Sequence, residues 1–450
     1  MTGSETSDDD LGPIGRVGPS NVPAELRRLE RIAGRWIDDR ADLFDPHGWE
    51  RQDEYQTRLK AFSELSIYLM LGDQLPVEPS ADRTDGHELV VERVHDRSYR
   101  EAIRRNPAEI RVYGYPPIYV DLAGELRDPA VRDALGDVLG GDAAWARERQ
   151  PYALLDVWHM ATLCGIEPPY DRDTILRTSS LVGGVHPIRA ELEDVYPLTH
   201  DIMFARGFGL EGFGFATDPL PYDVRCAHVG LALRYLAAEL YDPLLEVLLT
   251  GVLQHQLPPD LVGVCLQRLV EVAESHGHVP DHSGDDPRLD TISDANTETL
   301  AHLGDRAVDW GSQYHVNLVA GFCALGVRAE WPALREAFEW RTCTYDPETL
   351  LGLGEALDHL AKYELESGAR RLRDVAGTDA AAAYPQVFEA AVTFLREQRR
   401  ADGSFGYWPE ERLVLGRAGV DADQFDRQFL ATTTEACADA LDAIDDEVED

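Results

Sequence analysis

The sequence predicts an all-α chain of helical hairpins, on three observations. Apolar residues recur at intervals of three and four, while period-two alternation is almost absent. Gly, Pro and Asp break the chain repeatedly into helix-sized pieces. Several of those pieces share one look, with a histidine in the first turns followed by small and apolar residues.

Taken in order, residues 1–22 are rich in Gly, Ser, Asp and Pro and are expected to be a disordered tail outside a single domain at 25–445. Leu26, Leu29, Ile32, Ala33 and Trp36 fall on one helical face, as do Phe62, Leu65, Ser66 and Leu69. Between them Phe44-Asp45-Pro46-His47-Gly48-Trp49 makes a turn with an aromatic on each side. Residues 76–150 hold further helices broken by prolines, and Leu89–Val94 is the one segment considered for a strand. Gly114-Tyr115-Pro116-Pro117 is expected to be a loop, because proline lacks a donor and displaces the residue before it from helical geometry. From 151 onward helices alternate with turns. Four carry the histidine heads His159, His200, His228 and His315, and a fifth has Thr432, Thr433 and Thr434 with Glu435 in that place. The heads stand 41, 28 and 87 residues apart, which argues against a solenoid of fixed period and suits hairpins with variable loops.

Composition limits the partners. Of 450 residues 82 are acidic and 42 basic, a net charge of -40, so neither nucleic acid nor an anionic membrane is expected to bind. No apolar run approaches the ~18–20 residues of a membrane span. Only Lys60 and Lys362 are lysines among those basic residues. Acid surplus without lysine reads as adaptation to molar salt, where a Debye length of ~3 Å screens surface repulsion. The alternative is an acidic protein of ordinary cytoplasm. Six cysteines without a CxxC pair, five of them among Ala, Leu and Val, fit a reducing cytoplasm better than a disulfide framework.

One stretch is specific. After the helix ending near Arg400, Asp402-Gly403 supplies a turn, Phe405, Tyr407 and Trp408 fold back, and Gln398 is placed to bond turn backbone. This resembles the Gln-Trp turn repeat of the helical toroids, such as triterpene cyclases and protein prenyltransferase β-subunits, with echoes at Phe44–Trp49 and Val272–Ser283. The set Trp36, Phe44-Asp45-Pro46, Lys60-Ala61-Phe62-Ser63-Glu64-Leu65, Leu198-Thr199-His200, Tyr314-His315 and Asp402–Gly406 also looks like an uncharacterised domain family of this toroid type. The resemblance implies an α/α toroid with a central cavity, and it implies no reaction.

The signatures of the known toroid enzymes are missing. No Asp-x-Asp-Asp motif lies on an inner helix, Pro287 breaks the acidic cluster Asp285–Asp290, and no zinc signature of prenyltransferases or lanthionine cyclases can be placed. There is no P-loop, no strand-borne GxGxxG and no nucleophile elbow. Phe208, Phe213 and Phe215 of the Gly-rich loop are candidates to roof an apolar cavity.

Candidate cavity residues are therefore His159, Thr199, His200, Asp201, His228, Tyr314, His315, Thr434 and Glu435. The chemistry offered is metal binding, hydrogen bonding or proton transfer near neutral pH. The competing reading makes each histidine a core residue bonded to a nearby carbonyl. His276, His278 and His282 form a lesser metal candidate at loop spacing. The expected ligand is a small apolar or peptide molecule; catalytic residues, cofactor and oligomeric state are left open.

Overall fold

The computed structural model describes residues 21–47, 52–211, 223–282, 299–338, 347–406 and 430–449. These residues are helical and contain no β-strand; the sole β pairing among them is an isolated bridge between Leu240 and His282. The N-terminal helix α1 is Val22–Asp38. It follows the predicted stripe, with Leu26, Leu29, Ala33 and Trp36 buried and Arg27, Arg31 and Arg35 facing outward.

The next helices are α2 (Gln52–Gln74), α3 (Thr84–Val94), α4 (Arg97–Arg105), α5 (Tyr115–Leu122), α6 (Pro129–Leu139) and α7 (Pro151–Leu163). Two local expectations are corrected here. Leu89–Val94 belongs to α3, because Gly86, Val90 and Val94 are buried at helical spacing and tertiary packing overrides the β-branched residues. Tyr115, Pro116 and Pro117 form the first turn of α5, where a missing N–H leaves no bond unmade.

The second half adds α8 (Leu192–Ala205), α9 (Val224–Ala237), α10 (Tyr241–Leu253), α11 (Pro259–His276) and α12 (Asp305–Ala337). It ends in α13 (Pro347–Ala361), α14 (Leu365–Val375), α15 (Pro385–Glu397) and α16 (Ala431–Glu449). α10 is buried along its whole length, Asp242 and Glu246 included. A buried leucine contributes ~1.5–3 kcal/mol. Leu244, Leu245, Leu248, Leu249 and Leu253 supply that gain on the helix that carries both carboxyl groups.

Helix packing follows a circuit. α2 packs on α5 and on the turn Ile110–Tyr113, which also touches α7. α7 packs on α8, α8 on α10, α10 on α12, and α12 returns to α2. The last two crossings are close because glycine permits them. A Cβ on Gly321 would stand 2.6 Å from the Tyr68 ring, and one on Gly326 2.6 Å from Leu249. Outside the circuit, α1 lies on α11 and α12, and α9 joins α10 to α13. α13 to α16 then form a C-terminal layer packed among themselves.

Two connectors matter for the site. Gly277 ends α11 in the left-handed region, at φ 76°. The chain that follows is fastened by Asn317, whose side chain bonds both N and O of Val279 at 3.0 Å, and by Gln313, which accepts from Asp281 N at 3.1 Å. In the C-terminal layer the predicted turn is present, with Gly403 at φ 84° and Asp402 accepting from Ser404 N and Oγ. Its clasp differs from the expectation. Gln398 bonds back to Phe394 O in its own helix, while Phe405 N donates to Thr434 Oγ1 of α16 at 3.0 Å. Trp408 and the N-terminal residues 1–20 lie outside the described residues, as do Phe213, Phe215, Asp285–Asp290 and Cys343.

Candidate functional site

The helices of the circuit, together with residues of α9 and α13, line a cavity of about 1120 Å³. That is slightly above the ~300–1,000 Å³ usual for ligand pockets. Its lining divides by chemistry. Ile67, Met203, Phe204, Phe208, Val319 and Phe322 make an apolar side, with Phe208 edge-on to both Phe204 and Phe322 at 5.5 Å. Phe208 holds this place at φ 56°, a strained backbone for a bulky residue.

The polar wall comes from four elements. α2 contributes Lys60 and Glu64 one turn apart, joined at 3.5 Å. α8 contributes Tyr196 and His200, α10 contributes Asp242 and Glu246, and α12 contributes His315. His315 Nδ1–H donates to Glu64 Oε2 at 3.1 Å, and its Nε2 stands 3.8 Å from Asp242 Oδ1. Tyr196 OH donates to Asp242 Oδ2 at 3.0 Å. Thr199 Oγ1 donates to Glu246 Oε2 at 2.5 Å, and His200 Nδ1 is 3.6 Å from that oxygen. The pinned connector adds Asp281 and His282 to the lining. A second polar node pairs Arg111 with Asp156 at 2.6 Å, with Tyr115 OH donating to the other Asp156 oxygen at 2.8 Å.

These neighbours drive the protonation states apart. Burial pushes Glu64 up, but the charges of Lys60 and His315 outweigh it and hold the carboxyl at about 2. Burial pushes Glu246 up to about 8, with Asp242 acting in the same direction. For His315 burial acts downward, and Glu64 and Asp242 overcome it to hold the imidazolium up at about 9. His200 is pulled down to about 3 by burial and then by the charge on His315. Asp281 rises to about 6 through burial and its neighbour Asp242. Lys60 is raised, chiefly by Glu64. Groups with such separated states, gathered in one cleft, are the usual mark of a functional site.

Of the predicted cavity residues, His200 and His315 line this space. His159 and His228 do not: both are fully buried behind it. His228 Nδ1 donates to Val224 O at 2.9 Å, the core arrangement weighed from the sequence. His159 sits among Tyr115 and Phe208 with no hydrogen bond at either ring nitrogen. Thr199 acts on the wall through Glu246 without lining it. Asp201 faces away, accepting from Ser180 N and Oγ. Tyr314 is stacked on Trp310 at 4.9 Å. Thr434 is taken up by Phe405, and Glu435 is exposed in the C-terminal layer. Of the loop trio only His282 reaches the cavity, while His276 and His278 pack near Trp36 and each other.

The residues missed from sequence are Asp242 and Glu246. Their signal was an i, i+4 carboxylate pair in an otherwise apolar helix, Tyr241-Asp242-Pro243-Leu244-Leu245-Glu246, which carries no histidine. Lys60 and Glu64 stood in the sequence as part of a resemblance, with no role attached.

Comparison with known proteins adds a family. Residues 31–325 match the family described as a domain of unknown function, DUF6895. No curated protein matches the chain, and no solved structure does. The matched range takes in the whole helix circuit up to the cavity-facing part of α12, and it ends before the C-terminal layer. On that match the chain belongs to the DUF6895 family.

Proposed function

We propose that this protein is an α/α toroid of the terpenoid-cyclase and prenyltransferase type whose central cavity binds a small organic molecule with an apolar body and a polar head. One observation carries the reading: the two lysines of the chain, Lys60 and Lys362, both line that cavity. All other basic residues are arginine, and Arg111, Arg147, Arg149 and Arg234 line the same cavity. A compact ammonium differs from a planar guanidinium in shape and donor geometry, so its confinement to one cavity marks a place where the shape of the cation matters. The divided lining supports the rest, offering the apolar side to the body and the Lys60–His315 wall to the head. A peptide end with an apolar side chain satisfies the same description. The circuit from α2 round to α12 is what a toroid's inner helices would make.

Mass spectrometry of a solvent extract of the purified protein tests this. A stoichiometric small molecule is expected, and Val319→Trp, which fills the apolar side, is expected to lose it. Extracts identical in the two proteins would sink the reading.

A second reading is an enzyme of the cyclase-like toroid class in specialised metabolism. It is favoured by the closeness of His200, Glu246, Asp242 and His315, donors and acceptors less than 4 Å apart beside an apolar half-cavity. Turnover of the extracted molecule by fresh protein would select it over simple binding.

We also assign the protein to a salt-rich cytoplasm, on its net charge of -40 and its two lysines among 42 basic residues. Its far-UV helicity is expected to fall on dialysis from molar KCl into dilute buffer; full helicity in dilute buffer would count against it.

A further inference from the structure

The wall around His315 is arranged as a set of half-used ligands. His315 commits Nδ1 to Glu64 and leaves Nε2 toward Asp242. Asp242 commits Oδ2 to Tyr196 and leaves Oδ1, which is buried and without a hydrogen bond. Glu246 is held by Thr199. One ligand atom from each of Asp242, Glu246 and His315 lies within 4.8 Å of the others. A carboxylate that fixes the far nitrogen of a histidine, turning the near one toward other ligands, is the outer arrangement that metal sites use.

Hydrogen bonding alone accounts for Tyr196 and Thr199. It does not account for the idle Asp242 oxygen, whose residue is 5% exposed. A buried carboxylate oxygen needs a partner, and an ion bound between Asp242, Glu246 and His315 would supply one.

We propose that Asp242, Glu246 and His315 bind one divalent first-row metal ion on the cavity wall, oriented by Tyr196, Thr199 and Glu64. One imidazole and two carboxylates suit Zn²⁺ or Mn²⁺ and leave coordination positions open to the cavity. Donors on one ion stand roughly 3.3 Å apart for bonds of ~2.0–2.1 Å. Side-chain rotation of Glu246 and His315 on their rigid helices closes the present spacing. Binding requires a deprotonated His315 Nε2 and ionised Asp242 and Glu246, and every proton these groups carry leaves to solvent. The inference uses the cavity of the preceding reading but rests on α8, α10 and α12, not on an organic ligand.

The test is calorimetric titration of the full chain, made without a His tag and stripped with chelator in molar KCl, with ZnCl₂ and then MnCl₂. One equivalent is expected. His315→Ala and Glu246→Gln are expected to weaken binding at least ~100-fold, and Glu64→Gln ~10–100-fold. His276→Ala, at the exposed end of α11, should bind as the parent does. Thermal melts identify any variant that fails to fold; Asp242→Asn then takes its place. No binding of either ion by the folded parent overturns the proposal. So does binding that survives both His315→Ala and Glu246→Gln, or that disappears in His276→Ala. Because no organic molecule enters the titration, the metal result stands or falls apart from the extraction experiment.

Discussion

His315 and His228 look alike in sequence, each followed by small and apolar residues of its helix, yet they occupy opposite environments. His315 faces the cavity between Glu64 and Asp242 and is held charged, up at about 9. His228 lies between α9 and α10 with Val224 O as its partner and is held neutral, down at about 4. His159 falls with His228, also at about 4, through burial alone. The difference shows that a histidine's role here is set by what crosses from the neighbouring helix, a carboxylate in one case and a glycine, Gly251, in the other.

Acid should separate the two kinds most strongly. An unfolded histidine protonates near 6.5, while His159 and His228 in the folded chain wait until about 4. Their folded-state pKa is depressed, so the stability they contribute is full above pH ~6.5 and is lost as pH falls toward 4, where the unfolded chain takes up protons first. At ~1.4 kcal/mol per pH unit, each ring withdraws ~3 kcal/mol across that window. Denaturant unfolding from pH 7 to 4 in molar salt measures it. The double variant His159→Phe, His228→Phe should flatten the slope in that window; an unchanged slope would break the contrast.

A smaller effect comes from truncation. His228→Ala leaves a void beside Gly251 and should cost ~2–4 kcal/mol. His200→Ala merely enlarges a cavity already there and should cost less than ~1 kcal/mol. Equal losses in chemical melts would mean that the two positions are not different in kind.

The smallest stability change sharpens the same point from the cavity side. Lys60→Arg keeps the charge and should shift stability by no more than ~0.5 kcal/mol, as expected for a partly exposed ion pair. It should nevertheless reduce the amount of co-extracted small molecule, because the guanidinium cannot occupy the ammonium's place. An unaltered extract would remove the argument drawn from lysine usage.

The candidate site was legible in part. Histidine heads on apolar helices drew attention to His200 and His315, and the same signal raised His159 and His228, because spacing along one helix does not say which helix lies opposite. Thr434 had the right position in its helix and the wrong neighbours: Phe405 occupies it. Asp242 and Glu246 were passed over because α10 has no histidine, although two carboxylates on a helix this apolar require a reason. The Gln398 turn read correctly as a turn, but its clasp is made by backbone at Phe405, which side-chain identity does not reveal.

The amino-acid order by itself determined the helical character, since apolar spacing and proline and glycine placement act over a few residues. It also determined the charge, the shortage of lysine and the lack of any helix apolar enough to cross a membrane among the described residues. Tertiary structure alone decided which polar groups meet. Glu64, Asp242 and His315 are far apart in sequence and share one wall because α2, α10 and α12 cross closely at glycines. Protonation depends on distances of a few ångströms between such groups, and those distances exist only once the helices have packed.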